Sequence, residues 1–317
     1  MKNKLKLAGN VLTIGAIILI IRKILGMDID FSQLGSASVL TALGVSMVVQ
    51  SAIFTFGCIP WLIFIQSFSG RKIPFSKAMP VYTNSNIYKY IPGNVFQYIG
   101  RNQLAADMDI SHVDVACATV LDIFFSVLST GVISVILLGG KVAELLGKYG
   151  RNMALIGCAG VAVLVVAAVV AKWKFSDKIK AYLSRYSKAF RHENRRTLFL
   201  GIGYYFAQNL ISAMSYFICM RLIIGSGAEL SELLTLTGAF MFAWIIGFVT
   251  PGAPGGIGIR EGVMIFVSGD GFADKVILFA LAMRIASTAA DVIAFLIGKI
   301  YLALSSNNKT EKGALTD

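Results

Sequence analysis

Apolar runs of bilayer length recur along this chain, at roughly residues 38–66, 113–138, 151–171, 198–222, 233–249 and 275–303. About 20 predominantly apolar residues form a helix that spans a hydrocarbon core, and a soluble domain does not contain several such runs. With 56% hydrophobic and 15% charged residues and a mean hydropathy of +0.73, the chain reads as an integral membrane protein. No polar segment is long enough to form a separate soluble domain, so residues 1–304 are expected to make one membrane domain, with residues 305–317 a short, polar, disordered tail. The fold class expected is an all-α polytopic membrane protein with about 7–8 transmembrane helices.

The distribution of charge gives the topology. The net charge of +12 arises from Lys and Arg gathered in the short segments between apolar runs, which is the positive-inside pattern and an affinity for anionic lipid. Nucleic acid is therefore not the expected partner. Residues 172–196 carry nine Lys or Arg against Asp177 and Glu193, and mark a cytoplasmic loop. A further apolar run at residues 11–21, preceded by lysines and without a small-residue cleavage site after it, predicts a first span with a cytoplasmic N-terminus. The setting is the cell membrane. Cys58, Cys117, Cys158 and Cys219 lie singly in apolar segments and read as small buried hydrophobes. The two histidines, His112 and His192, fall in or beside loops, so a histidine-based metal or catalytic site is not expected, and no cofactor motif is present.

Two stretches depart from this pattern. Thr250-Pro251-Gly252-Ala253-Pro254-Gly255-Gly256-Ile257-Gly258-Ile259-Arg260-Glu261-Gly262 follows an apolar run directly, where a membrane helix would otherwise continue. Proline lacks an N–H and glycine costs backbone entropy, so a continuous helix is disfavoured. Broken backbone at membrane depth is tolerated only where it is buried in protein or lines a wet cavity. Gly255, Gly256 and Gly258 let a half-helix begin near Ile257, aiming free N–H groups at an anion, with Arg260 in its first turn and Glu261 beside it. The alternative is a glycine-rich kink that lets helices pack closely, with Arg260 and Glu261 paired structurally. Ionisable residues inside a membrane favour the site.

The second stretch, residues 80–104, is too polar to span alone and too aromatic for a free loop. A helix beginning at Pro92 would place Asn94, Gln97 and Arg101 on one face. We read residues 80–104 and 250–268 as two re-entrant or broken helical segments. If the latter completes a crossing the count is eight spans with both termini inside; if it re-enters, seven with the C-terminus outside. The tail lysines, Lys309 and Lys312, favour eight.

Other polar groups are secondary. Ser111 and Asp114 have capping-box spacing at the start of the 113–138 span. Asp122 inside that span is expected near the outer half of a packed interface. Tyr205, Gln208, Ser212 and Ser215 form a stripe suited to helix–helix hydrogen bonding. Arg284 and Asp291, two turns apart, should pair across helices, with Glu261 and with an arginine of a re-entrant segment.

Ile91-Pro92-Gly93-Asn94 with Gly100-Arg101, followed by Pro254-Gly255-Gly256-Ile257-Gly258-Ile259-Arg260-Glu261-Gly262, resembles the lysylphosphatidylglycerol synthase transmembrane-region family, which includes the flippase half of the multiple-peptide-resistance factors. The order and spacing of apolar spans agree over nearly the whole chain. The resemblance implies an all-helical fold with two re-entrant segments and translocation of a lipid between leaflets. Relatives often carry a Glu-Arg pair before the aspartate of the third span, whereas Thr119-Val120 precede Asp122 here. The soluble aminoacyl-transferase domain of the two-part members is absent from this sequence, so synthesis of lysyl-lipid is not expected of it.

The function expected is a flippase-like protein, not an enzyme, that translocates or binds a phosphate-bearing lipid, either an aminoacylated phospholipid or a lipid-linked glycan. Arg260, Glu261, the three glycines, Arg101, Gln97 and Asn94 would hold the headgroup, with Arg284, Asp291 and Asp122 as supporting charges. With no nucleotide-binding motif, energy would come from gradients or downstream consumption. The competing expectation is a non-transporting membrane partner of a cell-envelope enzyme, such as a glycosyltransferase or a separate lysylphosphatidylglycerol synthase, docked through residues 172–196.

Overall fold

The structure, a computed structural model, describes residues 35–91, 95–144, 147–148, 150, 184, 186, 195–225, 227–249, 259–268 and 273–314. The described residues are helical, with no strand among them. In chain order the helices are α1 (Ala37–Phe56), α2 (Cys58–Ser69), α3 (Phe75–Asn86), α4 (Phe96–Leu104), α5 (His112–Leu138), α6 (Arg195–Ile224), α7 (Leu230–Val249), α8 (Ile259–Ser268) and α9 (Ala273–Ala314). Among the described residues, five segments are long and apolar enough to cross a membrane: Ala37–Ser69, His112–Leu138, Arg195–Ile224, Leu230–Phe248 and Asp274–Leu304. They correspond to five of the spans read from the sequence. The runs at 11–21 and 151–171 lie outside the described residues. The chain is thus a multi-pass helical membrane protein.

Local chemistry sets the helix boundaries. Ser36 opens α1, its Oγ accepting the Val39 N–H at 3.4 Å, and Ser111 opens α5 in the same way, accepting from Val113 N at 3.2 Å. Gly70 closes α2 in the left-handed conformation (φ 68°), its N–H donating to the Gln66 carbonyl. Between α1 and α2 the helix is interrupted at Gly57, and the cause is three residues further on. Pro60 has no N–H, so the Phe56 carbonyl loses its i+4 donor. Tyr204 Oη on α6 donates to that carbonyl at 3.1 Å, satisfying a group that lipid could not.

The segment 75–108 is a pair of short helices rather than one. α3 ends in a 3-10 turn (Ile87–Tyr90), residue 91 is extended, and α4 begins at Phe96, not at Pro92 as the sequence suggests. Proline does suit a first helical turn, but Val95 is the residue next to α4 that accepts the Tyr98 and Ile99 N–H groups. α8 has ten residues. At 1.5 Å per residue that is roughly 15 Å, about half of a hydrocarbon core. It packs between α7 and α9. α9 runs to Ala314.

The buried apolar residues form two main clusters. One joins α1, α7, α8 and the first half of α9 to the end of α6, through Leu236, Met220, Met264 and Phe279. The other joins α2, α3 and the first part of α5 to the beginning of α6, through Trp61, Phe64, Leu121 and Leu198. Each is worth a large apolar burial. The polar residues of α5 and α6 fall between the two, so both helices pass from one core to the other across a polar middle. The outer faces of the same helices carry exposed Phe124, Val135, Leu210 and Met214, as expected of surface turned to lipid.

Candidate functional site

That polar middle is a cavity of about 550 Å³. Its wall is drawn from α1, α3, α4, α5, α6, α7, α8 and α9. The volume lies within the range of a small-ligand site.

Four cations face it: Lys89, Arg101, Arg260 and Arg284. Three are matched. Arg101, 2% exposed, donates from Nη1 to Asp122 Oδ2 at 2.6 Å and from Nη2 to Asn86 Oδ1 at 3.0 Å, and its guanidinium lies 3.9 Å above the Tyr82 ring. The other oxygen of Asp122 accepts from the Tyr205 hydroxyl. Lys89 Nζ donates to Asp291 Oδ1 at 2.8 Å while Tyr90 Oη donates to Oδ2 at 2.7 Å, and Lys89 also lies 4.6 Å from the centre of the Phe54 ring. Arg284 Nη2 meets Glu261 Oε1 at 2.9 Å. Buried charges persist only when paired and hydrogen-bonded, and these six satisfy that condition.

Arg260 is the exception. It projects from the first turn of α8 into the cavity wall, and among the described residues no carboxylate pairs with it. Its Nε is buried with no hydrogen-bond partner. A second orphan, Gln208 Oε1 on α6, belongs to a residue of the same wall. A buried unsatisfied donor costs about 1–3 kcal/mol, more when charged, and each such group in a native fold calls for a reason.

The sequence-predicted residues converge to this extent. Gln97, Arg101, Asp122, Arg260, Arg284 and Asp291 all line the one cavity, and Glu261 joins it through Arg284. Asn94, Gly255, Gly256 and Gly258 lie outside the described residues, as does most of the 172–196 loop. Asp122 is buried, 5% exposed, between the α4 guanidinium of Arg101 and the α6 hydroxyl of Tyr205. The cation opposite Asp291 is Lys89, from the 3-10 turn, not an arginine. Lys89, Tyr90, Asn86 and Tyr82 escaped notice in the sequence. A single lysine among tyrosines in a segment too polar to span was the available signal. The stripe on α6 divides in function: Tyr205 binds Asp122, while Gln208 and Ser212 face the cavity.

Neither family models, nor characterised proteins, nor solved structures give a match to this chain.

Proposed function

We propose that this chain is a flippase-like protein of the cell membrane, N-terminus cytoplasmic, that binds and translocates a phosphate-bearing lipid. The headgroup occupies the central cavity while the acyl chains stay in the bilayer. The observation that carries this reading is the charge balance of the wall: three ion pairs and one arginine, Arg260, without a carboxylate among the described residues. A guanidinium whose Nε has no partner is suited to a phosphate oxygen, which it binds by charge-assisted hydrogen bonds. The resemblance of the two Pro-Gly stretches to the lysylphosphatidylglycerol synthase transmembrane-region family supports the same reading.

Reconstitution tests it. The purified protein is placed in liposomes containing a labelled anionic phospholipid, and the label reaching the opposite leaflet is followed. Loss of one charge-assisted contact weakens binding by about ten- to a hundredfold, so Arg260→Ala should lose most transport at subsaturating lipid, with Arg260→Lys retaining part of it. Transport by Arg260→Ala equal to that of the wild-type protein refutes the assignment of the site.

A further inference from the structure

The chemistry of the headgroup can be read from what the cavity leaves unsatisfied. A cationic headgroup, such as an amine or an aminoacyl group, needs a carboxylate to receive it. Among the described residues, the two carboxylates of this wall already have a cation at contact distance, Asp122 with Arg101 and Asp291 with Lys89, and Glu261, next to the wall, has Arg284. Two of the three also serve a tyrosine hydroxyl. Releasing Asp122 or Glu261 would leave Arg101 or Arg284, both buried, without its counter-ion.

Apart from Arg260, what remains at the wall is neutral. Gln208 offers an amide whose Oε1 has no partner, which requires a donor from a ligand or a neighbour. Ser126 and Ser212 of the same wall carry further hydroxyls, and Asn209 stands beside them, its own amide held by Ser129 and Thr130. From α7 comes a different surface. Trp244 and Phe248 share one helix face, with rings 5.5 Å apart and only 7° from parallel, and both line the cavity. The outer face of such a stacked aromatic pair, beside amides and hydroxyls, is the arrangement that receives a polyol ring: its C–H face lies on the aromatic surface and its hydroxyls find both donors and acceptors.

We infer that the headgroup bound here is a phosphodiester-linked polyol, a sugar or cyclitol carried on a lipid, and not an amine-bearing one. The inference rests on the lipid-binding reading above. Arg260 takes the phosphodiester, the Gln208 amide takes a ring hydroxyl, and Trp244 with Phe248 takes the ring face.

The test measures binding of short-chain lipids that differ only in headgroup to the full-length protein in detergent, by titration calorimetry. Phosphatidylmethanol supplies the phosphodiester alone, phosphatidylethanolamine adds an ammonium, phosphatidylglycerol adds two hydroxyls, and phosphatidylinositol adds a polyol ring. One additional hydrogen bond with ring stacking should make phosphatidylinositol about tenfold tighter than phosphatidylmethanol, with phosphatidylglycerol between them and phosphatidylethanolamine no tighter than phosphatidylmethanol. Gln208→Leu and Trp244→Leu should each reduce the ratio of phosphatidylinositol to phosphatidylmethanol affinity, and Arg260→Gln should weaken all four. Phosphatidylethanolamine binding as tightly as phosphatidylinositol overturns the polyol assignment, as does a ratio that survives both wall variants; in either case Arg260-dependent binding of phosphatidylmethanol leaves the phosphate site standing. If no lipid binds in an Arg260-dependent way, the phosphate site fails and the polyol assignment falls with it. Free inositol 1-phosphate binding as tightly as phosphatidylinositol would make the ligand a soluble polyol phosphate and overturn its placement on a lipid.

Discussion

Replacing Asp122 by Asn gives the sharpest test of how the centre of this bundle is held. The substitution keeps the shape of the side chain and removes its charge. Arg101 is 2% exposed and reaches Asp122 at 2.6 Å; its other contacts, Asn86 at 3.0 Å, Ser85 at 3.4 Å and the Tyr82 ring, are neutral. Without the carboxylate the guanidinium is a buried charge with no counter-ion, a situation that costs about 3–5 kcal/mol. Arg101→Met should cost a similar amount, because it strands Asp122 against the Tyr205 hydroxyl alone. The double variant Arg101→Met with Asp122→Leu removes both charges and should cost less than either single change, about 1–3 kcal/mol, the residue being the Tyr205 hydroxyl and Asn86 carbonyl left without partners. Adding Tyr205→Phe should recover about 1 kcal/mol of that. The measurement is reversible unfolding in mixed micelles of increasing denaturing detergent, with helix content as the readout, arranged as a double-mutant cycle. Singly destabilised variants whose costs simply add in the double would refute the pairing.

The remaining expectations concern close helix contacts and the second ion pair. A Cβ on Gly298 would lie 2.2 Å from Thr83 Oγ1, so Gly298→Ala should destabilise by about 1–3 kcal/mol; the same unfolding assay should show that Thr83→Ala relieves most of this. Gly238→Ala meets backbone instead, Leu138 N at 2.8 Å and Ser134 O at 2.9 Å, so its comparable or larger cost should have no single-residue rescue on α5. Lys89→Met should leave Asp291, whose side chain is 1% exposed, without that cation, at a cost of about 3–5 kcal/mol. The exchange Lys89→Asp with Asp291→Lys should unfold at higher detergent than Lys89→Asp alone.

The broad architecture was open to reading because hydropathy and loop charge are local properties of the chain. The spans at 113–138 and 198–222 come within a few residues of α5 and α6 for that reason. The gathering of Arg101, Arg260, Arg284 and Asp291 around one volume was partly readable, since charges at membrane depth must face inward. Partner choice was not. Whether Asp291 meets an arginine or Lys89 depends on how the 3-10 turn of residues 87–90 lies against α9, and no local pattern encodes that. The partners of Asp122 were hidden for the same reason: they are supplied by α4 and α6, 21 and 83 residues away in sequence. The start of α4 at Phe96 rather than Pro92 reflects the breadth of helix-start signals, which fix a boundary only to within a turn.

The odd arginine has an electrical consequence. With Lys89, Arg101 and Arg284 each balanced, the cavity wall among the described residues carries one net positive charge. On the lipid-binding reading a phosphodiester brings one negative charge, so the occupied site is neutral and the empty one is not. A field of 100 mV exerts about 2.3 kcal/mol on each elementary charge moved fully across it. Voltage would then act on the return of the empty carrier and hardly at all on the loaded one, which makes the resetting step the one that a membrane potential can drive or stall.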